Sequence, residues 1–148
     1  MHFEHDDGGR EKAGYKGNTR DCATRAIAIA TGMPYQQAYD LVNEHGKAER
    51  NSKKRRAKSS ARTGVYGPTM RRIMQDIGWH WTPTMGIGTG CTTHLRADEL
   101  PPGRVLCSLS RHFAAIIDGT LHDLNDCSRD GTRCVYGYWT ALAEGETP

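Results

Sequence analysis

The hydrophobic period changes once along this 148-residue chain, and that change constrains the fold more than any other feature. Up to Gly78 apolar residues recur at helical spacing, whereas beyond it short strand-forming runs stand between glycine and proline punctuation. From Asp21 to Thr31, Ala23, Ala26, Ile27 and Ala30 fall at i, i+3, i+4 and i+7, and Gly32 stands where a helix stops. Pro34 suits the first turn of a second helix, carrying Tyr35, Ala38, Tyr39 and Val42 before Gly46. A third helix is marked by Pro68, by Met70, Ile73, Met74 and Ile77, and by Gly78 at its end. Val105 to Leu109, His112 to Ile117, Thr120 to Asn125 and Val135 to Trp139 read as strands, with Asp118-Gly119 as a two-residue hairpin turn. Helices first and strands after them predict an α+β fold, with N-terminal helices packed on a C-terminal antiparallel β-sheet.

Residues 1–17 are polar and glycine-containing and read as a flexible lead-in, with order beginning near Asn18 and a single domain over 18–148. A composition 36% hydrophobic and 25% charged can build one core but hardly two. No apolar run approaches the roughly 20 residues of a membrane span, and Met1-His2-Phe3-Glu4-His5-Asp6-Asp7 lacks the basic start and apolar stretch of a signal peptide. The expectation is a cytoplasmic protein with no membrane partner. The net charge of +3 hides a concentration between Lys47 and Arg62, where eight basic residues face one acid, Glu49; the rest of the chain holds 12 basic and 16 acidic residues. With Asn51, Ser52, Ser59 and Ser60 among them, Arg50, Lys53, Lys54, Arg55, Arg56, Lys58 and Arg62 form an exposed basic insertion over 47–62. It suits nucleic-acid phosphates or an acidic protein, and equally a solvated loop with no partner.

Cys22, Cys91, Cys107, Cys127 and Cys134 are odd in number, so at least one is free, and in a reducing compartment all five are expected as thiols. Cys22 stands at a helix start, where unpaired N–H groups and the dipole favour a thiolate. The plainer reading is a small residue packing on an alanine-rich helix, and neighbouring Asp21 disfavours a thiolate unless it turns away into a capping bond. The hairpin singles out one histidine. With Asp118 and Gly119 as the loop, Ile117 pairs with Thr120, Ala114 with Asp123 and His112 with Asn125. His112 then has an amide opposite and a carboxylate diagonally placed on the same face. A lone histidine is more often structural, but a cysteine at a helix start, a histidine opening a later strand and Asp/Asn on its partner together have the form of a nucleophile–base–orienter triad.

That order, with the segments G-N-T-R-D-C-A-T-R-A and S-R-H-F-A-A-I-I-D-G-T-L-H-D, resembles papain-like cysteine peptidases, in particular small bacterial and phage-encoded members. The likeness covers roughly residues 17–44 and 101–139. It implies a papain-like fold, Cys22 as nucleophile, His112 as general base and acid, and Asp123 as orienter with Asn125 as the competing choice. It also implies acyl transfer from a peptide, isopeptide or amide carbonyl of a peptide or protein substrate, with no cofactor. One departure stands out: papain-like enzymes usually place an oxyanion-donating glutamine several residues before the cysteine, and no glutamine precedes Cys22. Asn18 is the nearest amide donor, and next to Gly17 it serves equally well as a turn cap. A missing donor would cost about 3 kcal/mol of transition-state stabilisation, which keeps open a non-catalytic binding module of the same fold.

Other signals are weaker. Cys91-x2-His94 and Cys127-x6-Cys134, with His122 between them, contain zinc-ligand types at spacings that match no compact site, so no metal is expected. Met85-Gly-Ile-Gly-Thr-Gly-Cys91 lacks the GK[ST] ending of a phosphate loop and reads as a flexible loop near the cleft. Trp79, Trp81, Tyr136, Tyr138 and Trp139 line a groove or fill a core, and such residues are more often core.

Overall fold

The computed structural model describes residues 1–17, 19–50 and 57–141. Helix α1 (Cys22–Thr31) is buried from Ala23 to Ala30, because its small side chains let the helix lie close against a sheet. Gly32 ends it at φ 79°, donating to the Ala28 carbonyl, and Arg104 Nη1 donates to the last carbonyls, Ile29 at 2.8 Å and Ala30 at 3.3 Å. Helix α2 (Tyr35–Lys47) starts after Pro34 and buries Tyr35, Ala38 and Val42. It runs through Gly46 rather than stopping there. The Ser59 carbonyl presses on this turn, and a Cβ at residue 46 would lie 2.0 Å from its oxygen. Helix α3 (Gly67–Asp76) buries Thr69, Met70, Ile73 and Met74, with Pro68 in its first turn.

Six strands follow the order β1-β5-β4-β3-β6-β2: β1 (His2–His5), β2 (Trp79–Pro83), β3 (Arg104–Leu109), β4 (His112–Ile117), β5 (Thr120–Asp123) and β6 (Gly137–Ala141). The fold is α+β, with the helices mostly N-terminal and the strands largely C-terminal. Two expectations need correction. The sheet is mixed, since β1 pairs parallel with β5, and secondary structure begins at His2 rather than near residue 18. All four residues of β1 are exposed, so the strand is held by its ladder and by Asp6, whose N–H donates to the Asp123 carbonyl at 3.0 Å and whose carboxylate meets His122 Nδ1 at 3.1 Å. A strand without a buried face shows no apolar alternation. The aromatic stretch after α3 is itself strand β2, and the final strand starts at Gly137, two residues later than its apolar pattern suggests.

The core lies on both faces of β3 and β4. Leu106, Ala115 and Trp139 face the three helices, while Val105, Cys107, Ala114 and Ile116 pack with Leu95, Leu121 and Val135 on the other side. Trp79 and Trp139 are core residues, and Trp81 leans over Gly137, where a Cβ would lie 2.2 Å from the ring. The β4–β5 turn has positive φ at Asp118 (47°) and Gly119 (78°), as a type I′ hairpin requires, and joins Ile117 to Thr120 in register. Helix α1 packs chiefly on β4, which sets the geometry of the site. Among the described residues, no helix is long and apolar enough to cross a membrane.

Of the basic insertion, Lys53, Lys54, Arg55 and Arg56 lie outside the described residues, and Arg50, Lys58 and Arg62 are exposed. Its ends are not wholly solvated. Glu49, Ser59 and Ala61 are buried, and Glu49 accepts from the Ser59 N–H at 2.7 Å and from the Thr69 hydroxyl.

Candidate active site

Cys22 is the first residue of α1, so its N–H has no acceptor within the helix. The chain before it is tied down by the Arg20 N–H donating to the Arg62 carbonyl at 2.9 Å, and α1 by the Thr24 hydroxyl donating to the Ala61 carbonyl at 3.0 Å. His112 opens β4, reached through a two-residue turn, Ser110-Arg111, from the end of β3. Packing of α1 on β4 brings the thiol and the imidazole onto one cavity of about 400 Å³, lined also by Tyr66, Phe113 and the backbone around Gly64.

The imidazole is held from behind. His112 Nε2 donates to Asp123 Oδ2 at 2.6 Å, which leaves Nδ1 for the thiol. Asp123, the last residue of β5, is buried, and its Oδ1 accepts from the Leu124 N–H at 2.7 Å and from Arg25 Nη2 at 3.4 Å. Asn125 lies beyond the end of β5 and is exposed, so the carboxylate rather than the amide meets the ring. Asn18 lies outside the described residues. Asp21 does turn away from Cys22, but into ion pairs rather than a cap. It is buried against Arg25, Tyr35 and Arg10, with Tyr35 Oη donating at 2.6 Å and Arg10 Nε standing 3.5 Å away as an ion pair without a hydrogen bond.

These contacts set the charges. Burial works against a Cys22 thiolate, but hydrogen bonding and charge from His112, the Phe113 N–H and the Arg25 guanidinium outweigh it and hold the thiol below its ordinary range. For His112 burial opposes protonation, and the Asp123 carboxylate, Cys127 and Cys22 reverse that and raise its pKa to about 11. Asp123 stays below the usual carboxylate range despite burial, because His112, the Leu124 N–H and Arg25 all favour the anion. The arrangement favours a thiolate and an imidazolium, each stabilising the other.

Two neighbours were not legible in the sequence as site residues. Arg25 follows Asp21 by four on α1 and bridges it to Asp123, a spacing visible in the chain but without a visible destination. Cys127 stands in the irregular segment after β5, its thiol donating to Asp123 Oδ2 at 3.6 Å and adding to the upward shift of His112. The ligand atoms of His112, Asp123 and Cys127 lie within 4.8 Å of one another, a donor set of a kind that could hold a metal ion, although the carboxylate and the imidazole are here bonded to each other.

Cys91 and Cys134 are joined in a disulfide, which corrects the expectation of five thiols; Cys22, Cys107 and Cys127 are free. Antiparallel pairing beyond β2 and before β6 brings the two together, through Leu95 N–H to the Arg133 carbonyl and Val135 N–H to the Thr93 carbonyl, both 2.8 Å. Cys107 is buried in the sheet, and burial pushes its thiol far up. The glycine-rich segment 85–91 lines neither cavity beside His112, so it is not a loop of the cleft, and of the aromatic residues it is Tyr66 and Phe113, not the tryptophans, that reach Cys22. Compared with protein-family models, curated proteins and solved structures, the chain matches none, so its function has to be read from these side chains themselves.

Proposed function

We propose that this protein is a papain-like cysteine hydrolase acting on a peptide, isopeptide or amide bond. The observation that carries the reading is the imidazole of His112, bonded on one side to buried Asp123 and sharing a cavity on the other with the Cys22 thiol, whose pKa it lowers. The Cys22 thiolate attacks the carbonyl carbon, and the developing oxyanion lies at the N-terminus of α1, within reach of the Cys22 N–H. The tetrahedral adduct collapses as His112 gives its proton to the leaving amine. Neutral His112 then takes a proton from water as the hydroxide adds to the thioester carbonyl, and this second adduct collapses to the carboxylic acid and the Cys22 thiolate, which leaves the thiolate–imidazolium pair restored. Asp123 fixes the ring and stabilises the imidazolium throughout.

The test is chemical and needs no substrate. Iodoacetamide alkylation of Cys22 at pH 7, followed by peptide mapping, is expected to run at least tenfold faster than that of a model thiol and to lose the advantage in His112→Ala. Ordinary reactivity in the wild type would sink the hydrolase and leave a binding module of the same fold.

A further inference from the structure

We propose that the second cavity beside His112 binds an anionic group, a carboxylate or a phosphate, carried on the leaving-group half of the substrate. The assignment to a substrate rests on the hydrolase reading above, whereas the anion binding does not. This cavity, about 590 Å³, shares His112 and Arg111 with the first but excludes the thiol. Arg25, Arg111, Arg129 and Arg133 line it, against a single carboxylate, Asp123. Outside the basic insertion the chain is net acidic, with 12 basic residues to 16 acidic, so four guanidiniums in one cavity reverse the local trend.

Charge matching within the fold does not use them up. Asp123 is engaged by His112 and by Arg25, and Arg25 is also paired with Asp21. Among the described residues no carboxylate lies within 4.0 Å of Arg111, Arg129 or Arg133, the Arg133 guanidinium donates to carbonyls alone, Ser110 at 2.7 Å and Cys127 at 3.5 Å, and its Nε is buried with no acceptor. Arg111 and Arg129 also have left-handed backbone, φ 55° and 53°, where glycine would be the unstrained residue. Long cationic side chains are kept at two positions whose backbone disfavours them, which points to a use for the guanidinium. A planar fork of donors suits an oxyanion, and the same field opposes a metal cation at the His112, Asp123 and Cys127 donors. The acyl half of a substrate has to lie against Cys22 in the first cavity. His112 hands its proton to the leaving amine, so the departing half lies on the imidazole side, where the arginines are.

The full-length chain is titrated at low salt with inorganic phosphate and, separately, with succinate, following the Arg129 and Arg133 Nε–Hε and His112 ring resonances. Saturable shifts at these groups are expected with at least one anion. Phosphate alone assigns a phosphorylated leaving group, and succinate binding assigns a carboxylate. In the double variant Arg111→Gly, Arg129→Gly, which relieves both positive-φ residues and so keeps the fold, affinity is expected to fall about tenfold or more. No saturable shift with either anion, shifts confined to the basic insertion, or binding unchanged in the double variant would each overturn the site. Alkylation of wild-type Cys22 runs in parallel. A reactive thiol with no anion binding discards this inference and keeps the hydrolase. An inert thiol with anion binding keeps the anion site and discards the leaving group.

Discussion

At Cys22 the local forces oppose one another, and their sum can be read as a pH profile. His112 holds the thiol below its ordinary 9.0, and Asp123, with Cys127 and Cys22, raises His112 to about 11, so the ion pair persists from the thiol's lowered pKa up to about 11. Alkylation of Cys22 by iodoacetamide, followed by mass spectrometry across that range, is expected to show its midpoint below pH 9.0. His112→Ala removes the largest stabilising contribution and leaves the burial, opposed only by the Phe113 N–H and Arg25, which moves the midpoint upward and slows the reaction at neutral pH by about tenfold for each unit of displacement. The same pair gives a stability prediction. A histidine whose pKa is raised on folding contributes stability that is complete below its unfolded value of 6.5 and is lost as pH rises through about 11; the lowered thiol acts in the opposite sense. In a Cys22→Ser background, where the thiol neither offsets this loss nor helps to raise His112, the urea midpoint should fall as pH rises from 7, with the loss complete below 11, and that fall should flatten when His112 is also changed to Gln.

Local chemistry made the elements legible where one face of an element is buried. The Asp118-Gly119 turn sets the β4–β5 register, and a period of two then puts Asp123 on the His112 face, so two of the three central side chains follow from a dipeptide and an alternation. Cys127 has no such handle, because no period connects an irregular segment to anything. Strand β1 fails for a related reason, being exposed throughout and paired with a strand more than a hundred residues away. Gly46 stands where a helix stop is expected, yet glycine has two uses, and here it serves the close approach of the Ser59 carbonyl. Gly46→Ala raises helix propensity by about 1 kcal/mol, yet its Cβ would overlap the Ser59 carbonyl at 2.0 Å, so chemical denaturation is expected to show a net loss of roughly 1–3 kcal/mol. Arg111→Gly in the β3–β4 turn should behave in reverse: relief of a left-handed non-glycine residue is expected to raise stability by about 1 kcal/mol, a gain the wild-type sequence forgoes.

Across the whole molecule, the site and the disulfide sit in different parts of one sheet. The catalytic candidates gather where α1 meets β4 and β5, while Cys91–Cys134 clips together the segments that leave β2 and enter β6. The pairing spans 43 residues, and nothing in the intervening sequence announces it, since it arises only once β6 returns between β3 and β2. Closing a loop of that length restricts the unfolded chain, so Cys91→Ala with Cys134→Ala is expected to lower unfolding free energy by about 2–4 kcal/mol in urea. The α1–β4 packing that presents Cys22 to His112 does not depend on that clip, because the helix is fastened at its own ends by Thr24, by the Asp21–Arg25–Asp123 bridge and by Arg104. The double variant should therefore unfold at lower urea and still alkylate at Cys22 with the wild-type rate below its transition. A parallel loss of thiol reactivity under native conditions would mean that the sheet transmits strain from β6 to β4 and that the two regions fold as a single cooperative unit.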